Sequence, residues 1–156
     1  EASPPDGGRP TAGAVTRLMD LGAKPYLLAS ALRGVVAQRL VRRVCPACSR
    51  PQVPTAAELR FLNLDAETVA GANLRRGAGC PECHGTGYRG RVGIFEILPM
   101  DENLRGLVHA GASAARLRAG ARAGGMRTMR ADGLRKIIAG LTTVEEVASI
   151  TAGDAD

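Results

Sequence analysis

From Gly13 onward, apolar residues recur at three- and four-residue intervals, the period of a helix that buries one face. In GAVTRLMDLG, Val15, Leu18, Met19 and Leu21 follow that spacing and Gly22 supplies a stop, which predicts a short helix. The next segment, KPYLLASALRGVVAQRLVRRV, puts Leu28, Leu32, Val35, Val36 and Leu40 at i, i+4, i+7, i+8 and i+12, with Arg33, Gln38 and Arg42 opposite. Pro25 suits a first helical turn, so one long helix running into Cys45 is expected. PTAAELRFLNL opens with Thr55 and Glu58, the reciprocal pair of a capping box, and predicts a short helix followed by a loop through DAETVAGAN. RGRVGIFEILPM has the β-branched and aromatic content of a strand ending at Pro99. Helical spacing then returns: Leu104, Leu107 and Val108 behind an Asp101 cap, an Ala-rich helix opened by Ser113, and Leu134, Ile137 and Ile138 on one side of TMRADGLRKIIAG. A last helix carries Thr143 and Glu146 as a second capping box. By contrast, EASPPDGGRPT has three prolines, two glycines and no apolar period, and is expected to be a tail or linker.

Four cysteines interrupt this pattern as two Cys-Pro-x-Cys pairs, Cys45 with Cys48 and Cys80 with Cys83, with 31 residues between the pairs. A two-residue spacer lets one tight turn present both thiolates to one ion, and four thiolates complete a tetrahedral zinc site at about 2.3 Å per sulfur. Such a site leaves no open position for water or substrate, so the expected metal is structural. Gly79, Gly85, Gly87 and Gly90 around the second pair permit positive φ and close approach of backbone N–H donors to sulfur. A phosphate cradle would need this loop to open a helix, whereas here it runs into a strand. His84 beside Cys83 is expected to face solvent or make a hydrogen bond rather than bind metal, and His109 lies late in a helix, where the helix C-terminus favours it. No Ser/His/Asp arrangement is legible. No G-x-x-x-x-G-K-[ST] occurs, and neither Lys24 nor Lys136 follows a glycine pattern.

Composition narrows the classes further. The chain of 156 residues is one domain's worth, with a net charge of +6 in which Arg supplies 19 of 21 cations. With two Phe, two Tyr and no Trp, the excess of Arg does not carry the stacking residues of a nucleic-acid binder. No stretch approaches the ~20 apolar residues of a membrane span, and none has the form of a secretory signal. A cytoplasmic chain is therefore expected, and a reducing compartment favours metal over disulfides for the four cysteines.

In order, AVTRLMDLGAKPYLLASALRGVVAQRLVRRVCPAC, GCPECHGTGYRGRVGIFEIL, LVHAGAS and GMRTMRADGLRKIIAGLTTVEEV resemble the C-terminal end of the secretion ATPases of the type II secretion and type IV pilus class. The resemblance covers roughly Gly13 to Thr151, and LVHAGAS and GMRTMRADG are closer to the type II secretion branch. It implies a hexameric motor at the cytoplasmic face of the inner membrane. ATP hydrolysis there drives pseudopilus assembly and protein transport on a membrane platform. It also implies a tetracysteine zinc element, with Cys45, Cys48, Cys80 and Cys83 as the ligands. The family's phosphate-binding loop, acidic boxes and histidine box lie upstream, so ATP and Mg²⁺ would enter only through that half. Where the histidine box should end, this chain reads GGRPTA, without His or acidic residues, as a truncated or rearranged chain or a degenerate remnant would. No catalytic residue carries over.

The expected fold is mostly α with a small β element, a zinc-knuckle insertion in the C-terminal part of a RecA-like secretion ATPase that lacks the P-loop core. The expected organisation is a disordered tail or linker over 1–12, a helical remnant of the ATPase domain over 13–44, the tetracysteine zinc-binding element over 45–99, a C-terminal helical region over 100–151 and a tail over 152–156. The expected partners are like subunits of the motor and inner-membrane secretion platform proteins. Arg39, Arg42, Arg43, Arg89 and Arg91 flank the knuckles and are expected to be mostly solvated. Two rival classes remain. A zinc-ribbon nucleic-acid binder would use the excess of Arg; a DnaJ-type zinc module would need four copies of the CPECHGTG repeat, of which the chain holds one in full.

Overall fold

In the computed structural model, residues 11–63 and 71–152 are described. Their elements are α1 (Thr11–Asp20), α2 (Pro25–Ala31), β1 (Gly34–Val44), β2 (Ser49–Pro51), α3 (Ala56–Leu62), β3 (Arg75–Gly77) and β4 (Tyr88–Pro99). Then follow α4 (Glu102–His109), α5 (Ala114–Ala123), α6 (Met129–Ile138) and α7 (Val144–Thr151). β1 pairs with β4 and β2 with β3, so among the described residues helices dominate over two small sheets. Two compact units are formed, one from 11–38 and 95–129, the other from 39–63, 71–94 and 130–152.

The first unit packs α2 on α4, and α1 and α4 on α5. Ala12, Val15, Ala29, Leu98, Leu104, Val108, Leu117 and Ala121 are buried between them. The two predicted caps hold: the Asp101 side chain accepts from the Leu104 amide at 2.8 Å and the Ser113 hydroxyl from the Arg116 amide at 3.4 Å. α1 begins earlier than the sequence pattern indicated. Thr11 and Ala12, expected in the tail, lie in the helix and are buried. The reason is a carboxylate from far along the chain: buried Glu96 accepts from the Thr11 amide at 3.1 Å and its hydroxyl at 2.7 Å. The same carboxylate accepts from the Met129 amide at 3.3 Å, so one anion serves the first residue of both α1 and α6. Unpaired N–H groups and the positive end of the dipole make a helix N-terminus a favourable place for that charge.

The expected long helix over 25–44 is corrected to α2 followed by β1. The chain leaves the helix at Leu32, whose φ of −67° and ψ of 132° are extended. Beyond it, Gly34, Val35, Val36, Val41 and Val44 suit a strand better than a helix, and pairing with β4 supplies the hydrogen bonds. The apolar stripe was misleading: Val36 and Leu40 are exposed, while Val41 and Val44 are the buried positions. The helical part of the expected 13–44 segment therefore ends before residue 34.

In the second unit, β2 and β3 are antiparallel, and α3 packs on α7. Val41, Val44, Leu62, Leu74, Ile94, Ile137, Val144 and Val147 are buried. Thr55 and Glu58 form the full predicted capping box of α3. Most of the loop expected through DAETVAGAN lies outside the described residues, as do residues 153–156 of the expected C-terminal tail. The second predicted box is only half made. The Thr143 hydroxyl accepts from the Glu146 amide at 3.4 Å, but the Glu146 carboxylate turns to Arg42. It accepts from the Arg42 amide at 2.8 Å and from Nε and Nη2 at 2.9 and 2.6 Å. Arg42 also stacks over the Tyr88 ring at 4.2 Å, and the Tyr88 hydroxyl meets that of Thr143 at 2.9 Å. Three donors from one arginine outcompete a single local N–H.

Burial pushes the Glu146 carboxyl up, but the Arg42 guanidinium and amide outweigh it and hold the group below its ordinary value. A depressed carboxylate pKa stabilises the fold above the unfolded value, about 4.3, and that stability is lost as pH falls through the folded value. Because half of the Arg42 side chain is solvated, Glu146→Gln should cost about 1–2 kcal/mol at neutral pH. In denaturant titrations the gap from wild type should close as pH drops below the carboxylate range; a gap that persists there would contradict the assignment.

Candidate metal centre

Each cysteine pair sits on one short turn. β1 delivers Cys45, after which Pro46–Cys48 form a single 3₁₀ turn, and Pro81–Cys83 form the matching turn of the second pair. Proline at the first position of each turn has its φ already set and has no N–H to leave unpaired. The two turns are joined through backbone: the Cys45 amide donates to the Gly87 carbonyl at 2.9 Å and the Ala78 amide to the Cys48 carbonyl at 3.0 Å.

These turns bring together all four predicted ligands. Sγ of Cys45 lies 3.9 Å from that of Cys80, Cys48 3.8 Å from Cys83, and Cys80 3.7 Å from Cys83. All four sulfurs fall within 4.8 Å of one another, close enough to hold one metal ion. Sulfurs placed tetrahedrally at about 2.3 Å from a common centre would be about 3.8 Å apart, so the donor set is compatible with zinc. A disulfide needs about 2.05 Å, and the four cysteines are free thiols. Cys45, Cys48 and Cys83 are buried and Cys80 is half-buried.

Backbone donors tune the sulfurs. The amides of Cys80 and Gly87 each point at Cys83 Sγ at 3.2 Å. Burial pushes the Cys83 thiol up, but these amides and the neighbouring thiols outweigh it and bring it down to about 6. Cys48 is pushed up to about 11, first by burial and then by the surrounding sulfurs. The Cys83 sulfur is thus favoured as thiolate and the Cys48 sulfur as thiol.

Gly87 explains why this arrangement needs glycine. Its φ of 77° lies in the left-handed region, its N–H serves Cys83 and its carbonyl serves Cys45. Gly77 on β3 presses against it: a Cβ on Gly77 would lie 2.0 Å from the Gly87 carbonyl oxygen. Sequence reasoning found Gly87 but missed Gly77, whose only signal was a further glycine just ahead of the pair.

The remaining singled-out residues stand apart from the sulfurs. His84, with φ of 51°, ends the second turn with its side chain exposed, and His109 is exposed at the end of α4. Arg39, Arg43 and Arg91 are exposed, and Arg89 pairs with Glu82. Lys24 is exposed at the start of α2, while Lys136 donates to Asp132 and to the Gly93 carbonyl.

The family described as Type II/IV secretion system protein matches residues 8–149. The chain is 47% identical over 139 residues to the type II secretion system protein E of Pseudomonas aeruginosa, covering 89% of this chain and 27% of that protein. It is 46% identical over 140 residues to the type IV pilus assembly ATPase PilB of Thermus thermophilus, covering 90% and 16%. With the type II secretion system ATPase E of Vibrio cholerae the identity is 42% over 139 residues, covering 89% and 27%. The chain thus spans roughly a quarter or less of the length of these relatives.

Gly77→Ala forces its new methyl group against the Gly87 carbonyl, so it should weaken metal binding about 10- to 100-fold in chelator competition. Gly106→Ala, whose Cβ would meet nothing within 4 Å, should leave the affinity unchanged. Equal affinities in both variants would contradict the role given to the Gly77–Gly87 contact.

Proposed function

The chain belongs to the type II/IV secretion system protein family, and from that premise we propose that it is the zinc-bearing segment of a secretion or pilus-assembly ATPase. The observation that carries this reading is the four-sulfur cluster, all four within 4.8 Å and three Sγ–Sγ distances at 3.7–3.9 Å, inside a chain that matches the family over 8–149. Cys45, Cys48, Cys80 and Cys83 hold the ion. Zinc supplies a cross-link among four thiolates with every coordination position filled, and no Lewis-acid chemistry at an open site.

The surrounding residues do the rest. Pro46 and Pro81 set the turns, Gly87 and Cys80 direct amides at sulfur, and the Cys45–Gly87 bond ties the end of β1 to the start of β4. The segment acts as a brace and contact module within a RecA-like hexameric motor on the cytoplasmic side of the inner membrane. Like subunits and the secretion platform are its partners. Hydrolysis of ATP with Mg²⁺ belongs to residues other than these: the sequence has no phosphate-binding loop, and His84 and His109 have no carboxylate or nucleophile assembled around them among the described residues. The type II secretion branch is favoured over pilus assembly by the wording of LVHAGAS and GMRTMRADG.

Elemental analysis of the purified chain should return one zinc per chain, and Cys80→Ser should release it and lower stability by several kcal/mol. The chain should show no ATPase activity of its own. Unchanged metal content in Cys80→Ser, two zinc ions per chain, or ATP turnover abolished by substituting one of these residues would each overturn the proposal.

A further inference from the structure

The β2–β3 hairpin, whose strands are joined by residues 52–74 including α3, has two unlike faces. Ser49 stands opposite Gly77, Arg50 opposite Arg76 and Pro51 opposite Arg75. Residues directly opposite in an antiparallel pair share a face, and alternation separates the middle pair from its neighbours. On the inner face Arg75 Nε donates to Ser49 Oγ at 2.8 Å. Arg50 and Arg76 are left together on the outer face, both exposed.

Like charges directly opposite each other weaken strand pairing, and strands of three residues have little else to offset the repulsion. The hairpin keeps its register because it is fixed at its ends. Ser49 directly follows Cys48, the Ala78 amide donates to the Cys48 carbonyl at 3.0 Å, and the Gln52 amide to the Leu74 carbonyl at 2.9 Å. Two arginines are thus paired across a short, tethered ladder. Among the described residues Arg50 has no ion pair, and Arg76 has a loose one, 3.4 Å from Glu145 with both side chains more than half exposed.

We infer that the outer face of this hairpin docks an acidic protein segment, with Arg50 and Arg76 gripping its carboxylates. Planar guanidinium forks match carboxylates in a bidentate manner, and the Arg76–Glu145 contact is solvated enough to be exchanged for a partner's carboxylate. A polyphosphate chain fits less well. Glu145 would repel it, and the hairpin carries no aromatic side chain on which a base could stack. A lipid surface fits less well too, because Ser49, Arg50, Pro51, Arg75, Arg76 and Gly77 offer no large apolar side chain to insert.

The test uses the purified chain and a fluorescein-labelled octaglutamate peptide, read by anisotropy at low salt. Wild type should bind. Arg50→Glu should weaken binding at least about tenfold while the melting temperature holds or rises, since the new carboxylate faces Arg76. Arg17→Glu makes the same charge change on exposed α1 and should alter binding by no more than about twofold. The inference falls if wild type does not bind the peptide, if Arg50→Glu binds as wild type does, or if Arg17→Glu loses as much. It falls equally if an oligothymidylate or phosphatidylglycerol vesicles are held more tightly than the peptide through the same two arginines.

Discussion

The second unit is organised around four sulfurs that lie within 4.8 Å of one another. Each Cys-Pro-x-Cys pair supplies two of them from a single turn, and bringing the pairs together requires chain positions 35 residues apart to face each other at 3.8–3.9 Å. That demand propagates outward. It fixes where β1 ends, gives Gly87 its left-handed conformation, presses Gly77 against Gly87 and holds a hairpin of three residues per strand in register. So short a ladder would have little stability without such anchoring. With Cys83 brought down to about 6 and Cys48 pushed up to about 11, an ion bound by these sulfurs would displace protons, which would link local order to metal occupancy.

A second theme is the use of single carboxylates over long sequence distances. Glu96 reaches the amides that open α1 and α6, and Glu146 leaves its own helix start to take three donors from Arg42. For Glu146 the Arg42 guanidinium and amide hold the carboxyl below its ordinary value, whereas a surface capping box satisfies one or two donors in water. The hydrogen bonds also explain how short helices persist, since seven- to ten-residue helices are marginal by themselves.

These same long-range contacts mark the limit of what the residue order reveals. Asp101, Ser113 and the Thr55–Glu58 pair lie within three residues of the groups they cap, and those helix starts were legible. Thr11 depends on a carboxylate 85 residues away, so α1 appeared to begin late. The β1 segment reads as helix because Leu32, Val35, Val36 and Leu40 happen to match a helical period, while the partner strand that decides the matter begins at Tyr88. At the site, cysteine spacing alone was enough to expect the four sulfurs that the structure brings within 4.8 Å of one another, because two Cys-x-x-Cys turns suit one shared ion. The Gly77–Gly87 contact and the paired arginines of the hairpin are properties of register, and register between strands of three residues leaves almost no trace in sequence.

Zinc K-edge X-ray absorption on the purified, zinc-loaded chain tests the central claim most directly. A closed cluster of Cys45, Cys48, Cys80 and Cys83 predicts a first shell of four sulfurs at about 2.3 Å and no nitrogen or oxygen. A shell with an imidazole nitrogen near 2.0–2.1 Å, as His84 would supply, or with a water oxygen, would contradict it.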